Sequence, residues 1–170
     1  MQRYLVVGAS GSGKSTLARA IGDRLGLPYI ATDPFYWGPD WAIAPSAHVE
    51  ACLGAALARP AWVLDGNFDD QRERVWARAE CIVWLDLPWP VTVGRVIARN
   101  VRWALTREPV WSGNTMTWLR AWSGVRHAAR SHGLKRRLYP GWLAAVQGAI
   151  TVRLTEQRSI DDWLCGLSNA

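Results

Sequence analysis

Cysteine is scarce in this 170-residue chain: Cys52, Cys81 and Cys165 form an odd, widely spaced set. That excludes a disulfide framework and the paired ligands of a zinc site. Long apolar runs are missing too. Asp86 and Pro88 cut the most hydrophobic stretch, 81–93, well short of the ~20 residues a membrane-crossing helix needs. The opening Met-Gln-Arg leads straight into a strand-like segment, without the charged, apolar and small-residue zones of a signal peptide. The expectation is a cytoplasmic protein with no membrane partner. At roughly 100 to 200 residues per domain, it should form a single domain over 1–170. Hydrophobic residues at 49% and charged residues at 20% exclude a disordered or collagen-like chain.

Acidic residues are nearly absent from one block. Residues 91–140 hold 10 basic side chains and a single acidic one, Glu108, whereas 1–90 hold 8 and 10, and 141–170 hold 2 and 3. The net charge of +6 is therefore concentrated in the middle. Such a block is either a solvated face or the binding surface for an anion: nucleotide phosphates, a nucleic-acid backbone or an acidic membrane surface. Lysine is limited to Lys14 and Lys135, so 18 of the 20 basic residues are arginine. Arginine's planar fork suits bidentate phosphate recognition.

One motif carries most of the chemistry. A short apolar run over 3–7 ends at Gly8-Ala9-Ser10-Gly11-Ser12-Gly13-Lys14-Ser15-Thr16, a G-x-x-x-x-G-K-S pattern followed by helical apolar spacing at Leu17, Ala18, Ile21 and Leu25. Glycines let the backbone curl so that successive N–H groups face an anion, while the new helix offers its positive end to the same point. Residues 8–16 are thus the expected nucleotide cradle. Lys14 should reach the β- and γ-phosphates and Ser15 should coordinate Mg²⁺.

Further strands are expected at 28–31, 61–64, 81–85 and 149–154, each short, apolar and followed by polar residues. Helices are expected at 46–58, with Ser46 as N-cap, at 90–105, and at 160–167 behind a Ser159-x-x-Asp162 box. Apolar strands alternating with helices indicate a parallel sheet covered on both faces, with ligands beyond the strand carboxyl ends. Asp33, Asp65 and Asp86 all land on that edge. Pro34 is expected to hold Asp33 extended. Asp33 reads as an acceptor contact or general base, or else as a structural cap. Asp65 reads as a Mg²⁺ holder, or as a turn-former before Gly66. Asp86, before Leu87-Pro88, reads as structural.

Arg95, Arg99 and Arg102 stand at i, i+4 and i+7 and should share one helix face. The turn-rich segment 106–114, carrying Arg107, reads as a cover over the site. Trp is unusually frequent, 12 of 18 aromatics. Trp37 and Trp41, with Tyr36, could wall an acceptor pocket. Trp103, Trp111, Trp118 and Trp122, interleaved with arginines, also fit a platform for single-stranded nucleic acid.

The P-loop, Asp33 with Phe35-Tyr36-Trp37, the stretches 62–68 and 82–88, and the pair Arg95 and Arg99 together resemble the nucleoside-monophosphate-kinase-like branch of P-loop kinases. Within it, the chain looks like small proteins described as DNA topology modulation proteins or adenylate-kinase-related kinases. The resemblance implies a three-layer P-loop NTPase core with a five-stranded parallel sheet, helices on both faces and an Arg-rich helical lid at about 103–140. It also implies ATP and Mg²⁺ as cofactors, with Arg95 and Arg99 on the nucleotide and the transferring phosphate. The loop after the last strand, ending at Arg158, would lie against the base. Two departures stand out. The connection from Asp33 to Trp62 holds one helix, and Asp65-Gly66-Asn67-Phe68 lacks the arginine of true adenylate kinases. That compactness is more like the gluconate and shikimate kinases, where an Asp ending the second strand meets the acceptor hydroxyl.

The expected activity is therefore ATP- and Mg²⁺-dependent phosphoryl transfer to a small molecule or nucleotide not identified by the sequence. Lys14, Asp33, Arg95, Arg99 and Arg107 are the expected catalytic groups, and Ser15 and Asp65 the metal holders. The alternative is a regulatory NTPase that grips nucleic acid through 91–140.

Overall fold

In the computed structural model, which describes residues 1–167, five parallel strands form one sheet in the order β2-β3-β1-β4-β5. They are β1 (Arg3–Gly8), β2 (Tyr29–Ala31), β3 (Trp62–Asp65), β4 (Cys81–Leu85) and β5 (Ile150–Leu154). The helices are α1 (Lys14–Leu25), α2 (Asp33–Tyr36), α3 (Ser46–Leu57), α4 (Arg72–Trp76), α5 (Trp89–Thr106), α6 (Trp118–Ala144) and α7 (Gln157–Gly166). Strand residues alternate between two cores, as their period of two requires. Leu5, Val7, Leu64, Ile82 and Trp84 pack with α3, α4 and Tyr139 of α6. Tyr4, Val6, Val63, Val83 and Leu85 pack with Leu17 and Ile21 of α1 and Ile160 of α7. The result is the expected three-layer α/β architecture. None of the helices among the described residues is long and apolar enough to cross a membrane.

Three local expectations shift. Asp33 does not end a strand in extended form: it opens α2, with Thr32 as N-cap and Pro34 in the first turn. Proline is accepted there because a first-turn N–H has no helical partner anyway. Ser46 is the first helical residue of α3, and its N-cap is Pro45. The last helix starts earlier than its Ser159-x-x-Asp162 reading, because Glu156 takes the N-cap and donates its backbone N–H to Ser159 Oγ (3.3 Å).

The segment expected as a lid, 103–140, comprises the end of α5, a loop over 107–117 and most of α6. The second half of α6 is anchored through several side chains, Lys135 on Asp69 (3.4 Å) among them. His132 Nε2 bonds the Leu87 carbonyl (2.9 Å), Arg136 meets Asp86 (3.3 Å), and the Tyr139 hydroxyl donates to Asn67 Oδ1 (2.8 Å). Asp86 itself is buried and also accepts from Arg153 Nε (3.0 Å) and Nη2 (2.5 Å), which ties the ends of β4 and β5 to α6. Its structural role is thus visible in its partners. Breaking a fully buried pair costs roughly 3–5 kcal/mol, and here both arginines are about half exposed and can turn to water. Asp86→Ala should therefore lower unfolding free energy by about 2 kcal/mol in urea titrations. A change below a few tenths would mean the triad contributes nothing.

Candidate active site

The strand β1, the glycine loop and α1 build the floor of a cleft at the carboxyl edge of the sheet. Gly8 (φ 150°), Gly11 (φ 79°) and Gly13 (φ 94°) all take dihedrals that side chains resist. Space is as tight as dihedral: a Cβ on Gly8 would fall 2.6 Å from the Leu85 carbonyl, and one on Gly11 would overlap the Thr92 carbonyl. The loop is thus pressed against the end of β4 and the first turn of α5. Gly13 caps α1 with no side-chain acceptor for the first-turn amides. Helix N-termini of this kind attract anions, so the donor set fits a polyphosphate. Lys14 folds back over the loop and donates to the carbonyls of Gly8 (3.1 Å) and Ala9 (3.0 Å). Ser15 and Thr16 stand exposed in the same first turn.

Asp65, at the end of β3, is buried and accepts weakly from the Thr32 N–H (3.4 Å). The Tyr29 phenol lies within reach of both Ser15 and Asp65, and burial followed by the Asp65 charge pushes it up to about 12. The two residues expected to hold Mg²⁺ thus both lie near the Tyr29 phenol. A hydroxyl and a carboxylate are the hard oxygen donors that Mg²⁺ takes.

Charge is concentrated around Lys14. Burial first, and then the nearby Lys135, lowers its pKa to about 8, with Asp33 and Asp65 acting in the opposite sense. Asp33 is raised, first by burial and then by Asp65, while Lys14 and Arg99 pull it down. Arg99 meets the same opposition, burial against its charge and Asp33 in favour. Lys14, Asp33 and Arg99 thus lie near enough to feel one another's charge, without an ion pair between them among the described residues. Arg95 lies over the loop, its Nη1 3.6 Å from where a Cβ on Gly13 would stand, and its Nη2 donates to Gln157 (3.1 Å).

Other expected members lie elsewhere. Arg102 leaves the row and pairs with Glu108 (2.6 Å). Arg107 is exposed, with its backbone in the left-handed region (φ 51°) and its N–H capping α5 at the Trp103 carbonyl. Arg158 sits in the first turn of α7, largely exposed beside Asp162 (3.7 Å). The structure adds two groups that sequence reasoning left without a role. Lys135 reaches the cleft from α6, with only 11% of its side chain exposed, and meets Asp69 at 3.4 Å. Asn67 Oδ1 accepts from both the Gly8 N–H (3.1 Å) and Tyr139. The position of Asn67, two residues past a strand end that faces the glycine loop, was its only signal.

The basic block does not form one groove. Arg95, Arg99 and Lys135 serve the cleft, Arg102 and Arg136 pair with carboxylates, and Arg120 lies over the Trp41 ring at 5.2 Å. Trp103 and Trp111 pack edge to face at 5.7 Å, while Trp118 and Trp122 remain exposed.

No protein-family model and no curated protein matches this sequence. Solved structures do. The chain is similar to a shikimate kinase from Acinetobacter baumannii in complex with shikimate, at TM-score 0.61 and 15% identity over 97% of this chain and 89% of that one. It is also similar to a gluconokinase from Sinorhizobium meliloti 1021, at TM-score 0.55 and 19% identity over 96% and 91%. The likeness is one of fold. What is shared is the α/β architecture with its five-stranded parallel sheet.

The depressed Lys14 has a measurable consequence. Between its folded pKa of about 8 and the ordinary value of 10.5, the folded chain binds fewer protons than the unfolded one, so this group's contribution to stability rises with pH in that range. An anion bound at the amine reverses the preference. MgATP affinity should weaken on the order of tenfold from pH 7.5 to 9.5, with net proton uptake on binding, by calorimetry in buffers of different ionisation enthalpy. A flat profile would show that the amine does not meet phosphate.

Proposed function

We propose that this protein is an ATP- and Mg²⁺-dependent phosphotransferase whose acceptor is a hydroxyl-bearing small molecule. The observation that carries this reading is the G-x-x-x-x-G-K-S loop pressed between β1 and α1 with Lys14 folded over it, and with Asp33 near enough to feel the Lys14 and Arg99 charges. A phosphate acceptor is already anionic and nucleophilic, whereas a hydroxyl gains from a base that removes its proton. Asp33 is exposed, so an acceptor can reach it, and its surroundings raise its pKa, which makes it a better base than an ordinary carboxylate. The gluconokinase and shikimate kinase likenesses agree with an acceptor of this class.

Bound MgATP would supply a transferable phosphoryl group with part of its charge neutralised. The chain's own residues do the rest. The loop amides past Gly8, at the start of α1, hold the polyphosphate, and Lys14 exchanges its two loop carbonyls for phosphate oxygen. Ser15 and Asp65 position the metal. Arg95 and Arg99 balance charge on the moving group from the side of α5, and Asp33 orients the acceptor hydroxyl and takes its proton. A loose, multiply charged transition state needs such positioning and little covalent chemistry from the protein.

The alternative, a nucleic-acid-gripping NTPase, rests on Arg126, Arg130 and Arg137, which are exposed on α6 and form no ion pair among the described residues. Salt separates the readings, since backbone binding falls steeply with ionic strength while small-molecule transfer changes little.

The acceptor is found by screening phosphoryl transfer from ATP to sugars, hydroxy acids, nucleosides and nucleotides. With the best acceptor, Asp33→Asn should lower kcat by about 10²- to 10⁴-fold, as loss of a general base does, with MgATP affinity within about threefold. Equal losses in kcat and nucleotide affinity would remove the base. Lys14→Ala should abolish turnover in a chain that still melts cooperatively.

A further inference from the structure

Among the described residues no carboxylate pairs with Arg99. Its Nε is buried without a hydrogen-bond partner, and its guanidinium lies over the Trp103 ring at 4.7 Å. Trp103 therefore provides the surface that orients it. From there an unbroken row of edge-to-face aromatic contacts leads away from the cleft: Trp103 to Trp111 at 5.7 Å, Trp111 to Trp41 at 6.0 Å, and Trp41 to Trp37 at 5.6 Å. The row ends on the segment that follows α2, the helix opened by Asp33.

The polar contacts reinforce the same seam. Asn114 is buried and uses both ends of its amide. Its Oδ1 accepts from the Trp41 N–H (2.8 Å), and its Nδ2 donates to the carbonyls of Gly38 (2.8 Å) and Trp111 (2.7 Å). Trp41 Nε1 donates to the Thr115 carbonyl (2.9 Å), and the Ser112 hydroxyl to the Trp37 carbonyl. Asp40 (φ 54°), Trp41 (φ 59°) and Ser112 (φ 57°) all hold left-handed backbone, which costs roughly 1–2 kcal/mol each for a residue with a side chain. These contacts hold that backbone in place. None of the seam's hydrogen bonds involves Lys14, Asp33, Arg95 or Arg99.

We propose that Asn114 and Trp103 are positioning residues: Asn114 fastens the 107–117 loop to the 37–41 segment, and the tryptophan row sets Arg99 in register with Asp33. The two sides of the reacting centre, the arginine on α5 and the carboxylate on α2, are then placed as one unit. This rests on the proposed phosphotransferase reading, in which Arg99 meets the moving phosphoryl. The coupling itself is observable without turnover.

The first test is NMR of the arginine Nε–Hε signals in the full chain without nucleotide, the Arg99 signal being assigned by its loss in Arg99→Lys. A guanidinium over an indole face carries a ring-current shift. Trp103→Leu should abolish that shift, Trp103→Phe should retain part of it, and Asn114→Ala, which touches no atom of Arg99, should displace it. An Arg99 signal unmoved in a folded Asn114→Ala protein overturns the proposal. The second test is kinetic, with MgATP and the acceptor from the screen. Trp103→Leu and Asn114→Ala should each lower kcat about tenfold, as misplacement of a positioned group does, with MgAMPPNP affinity within about threefold. Trp103→Phe should restore most of the rate. In an Arg99→Ala background, Trp103→Leu should cost nothing further, because it acts through that arginine. Additive losses, or no rescue by Phe, overturn the proposal. If Arg99→Ala alone leaves kcat unchanged while the NMR coupling holds, the seam stands as a structural unit, the assignment of Arg99 to the moving phosphoryl falls, and with it the catalytic part of the proposal.

Discussion

Backbone proximity at the first β–α turn is the constraint from which the remaining arrangement follows. Gly8 lies under the Leu85 carbonyl and Gly11 under that of Thr92, so the loop fits only if β4 and α5 come this close. That contact sets where α5 begins and therefore where Arg95 and Arg99 arrive. It also leaves the amides turned inward, since no side chain caps the start of α1. Asn67 completes the fit by holding the Gly8 N–H from the end of β3. A binding loop of this sort is less a flexible strip than a backbone pressed into shape by its neighbours.

Electrostatics around the loop follow from the same crowding. Lys14, Lys135 and Arg99 are brought together near Asp33 and Asp65. Burial opposes the charges of Lys14, Lys135 and Arg99, so these cations are held by the nearby carboxylates and by the fold. A site in that condition gains when a polyanion and a metal arrive, which is the sense in which phosphoryl-transfer sites are preorganised.

Much of the fold was legible because its signals are local. The glycine spacing, the five apolar runs and the i, i+4 placement of Arg95 and Arg99 need only neighbouring residues to be read. What escaped depends on contacts between distant parts of the chain. Lys135 enters the cleft only because α6 docks beside Asp69, 66 residues away in sequence. The partners of Asn114 are 73 and 76 residues off. Arg102 shares the helical spacing of Arg95 and Arg99, yet the left-handed turn at Arg107 brings Glu108 back within its reach. Trp37 and Trp41 read as the wall of a pocket; their strongest visible partners are each other and Trp111. The proline after Asp33 signalled an ending, whereas in the fold it sits in the first turn of a helix, where its missing N–H costs nothing.

Three anchors of α6, at His132, Arg136 and Tyr139, lie within two turns of one another. From Tyr139 to Trp118 the helix runs on for about 30 Å at 1.5 Å per residue. That stretch is pinned to α5 along the way, where Asn100 Nδ2 donates to the Ala121 carbonyl (3.0 Å) and Trp89 Nε1 to that of Ala129 (3.2 Å), with Ala121 and Ala128 buried. The helix is therefore a strut fastened along its length, and it fixes the span between the floor of the cleft and the turn over the tryptophans.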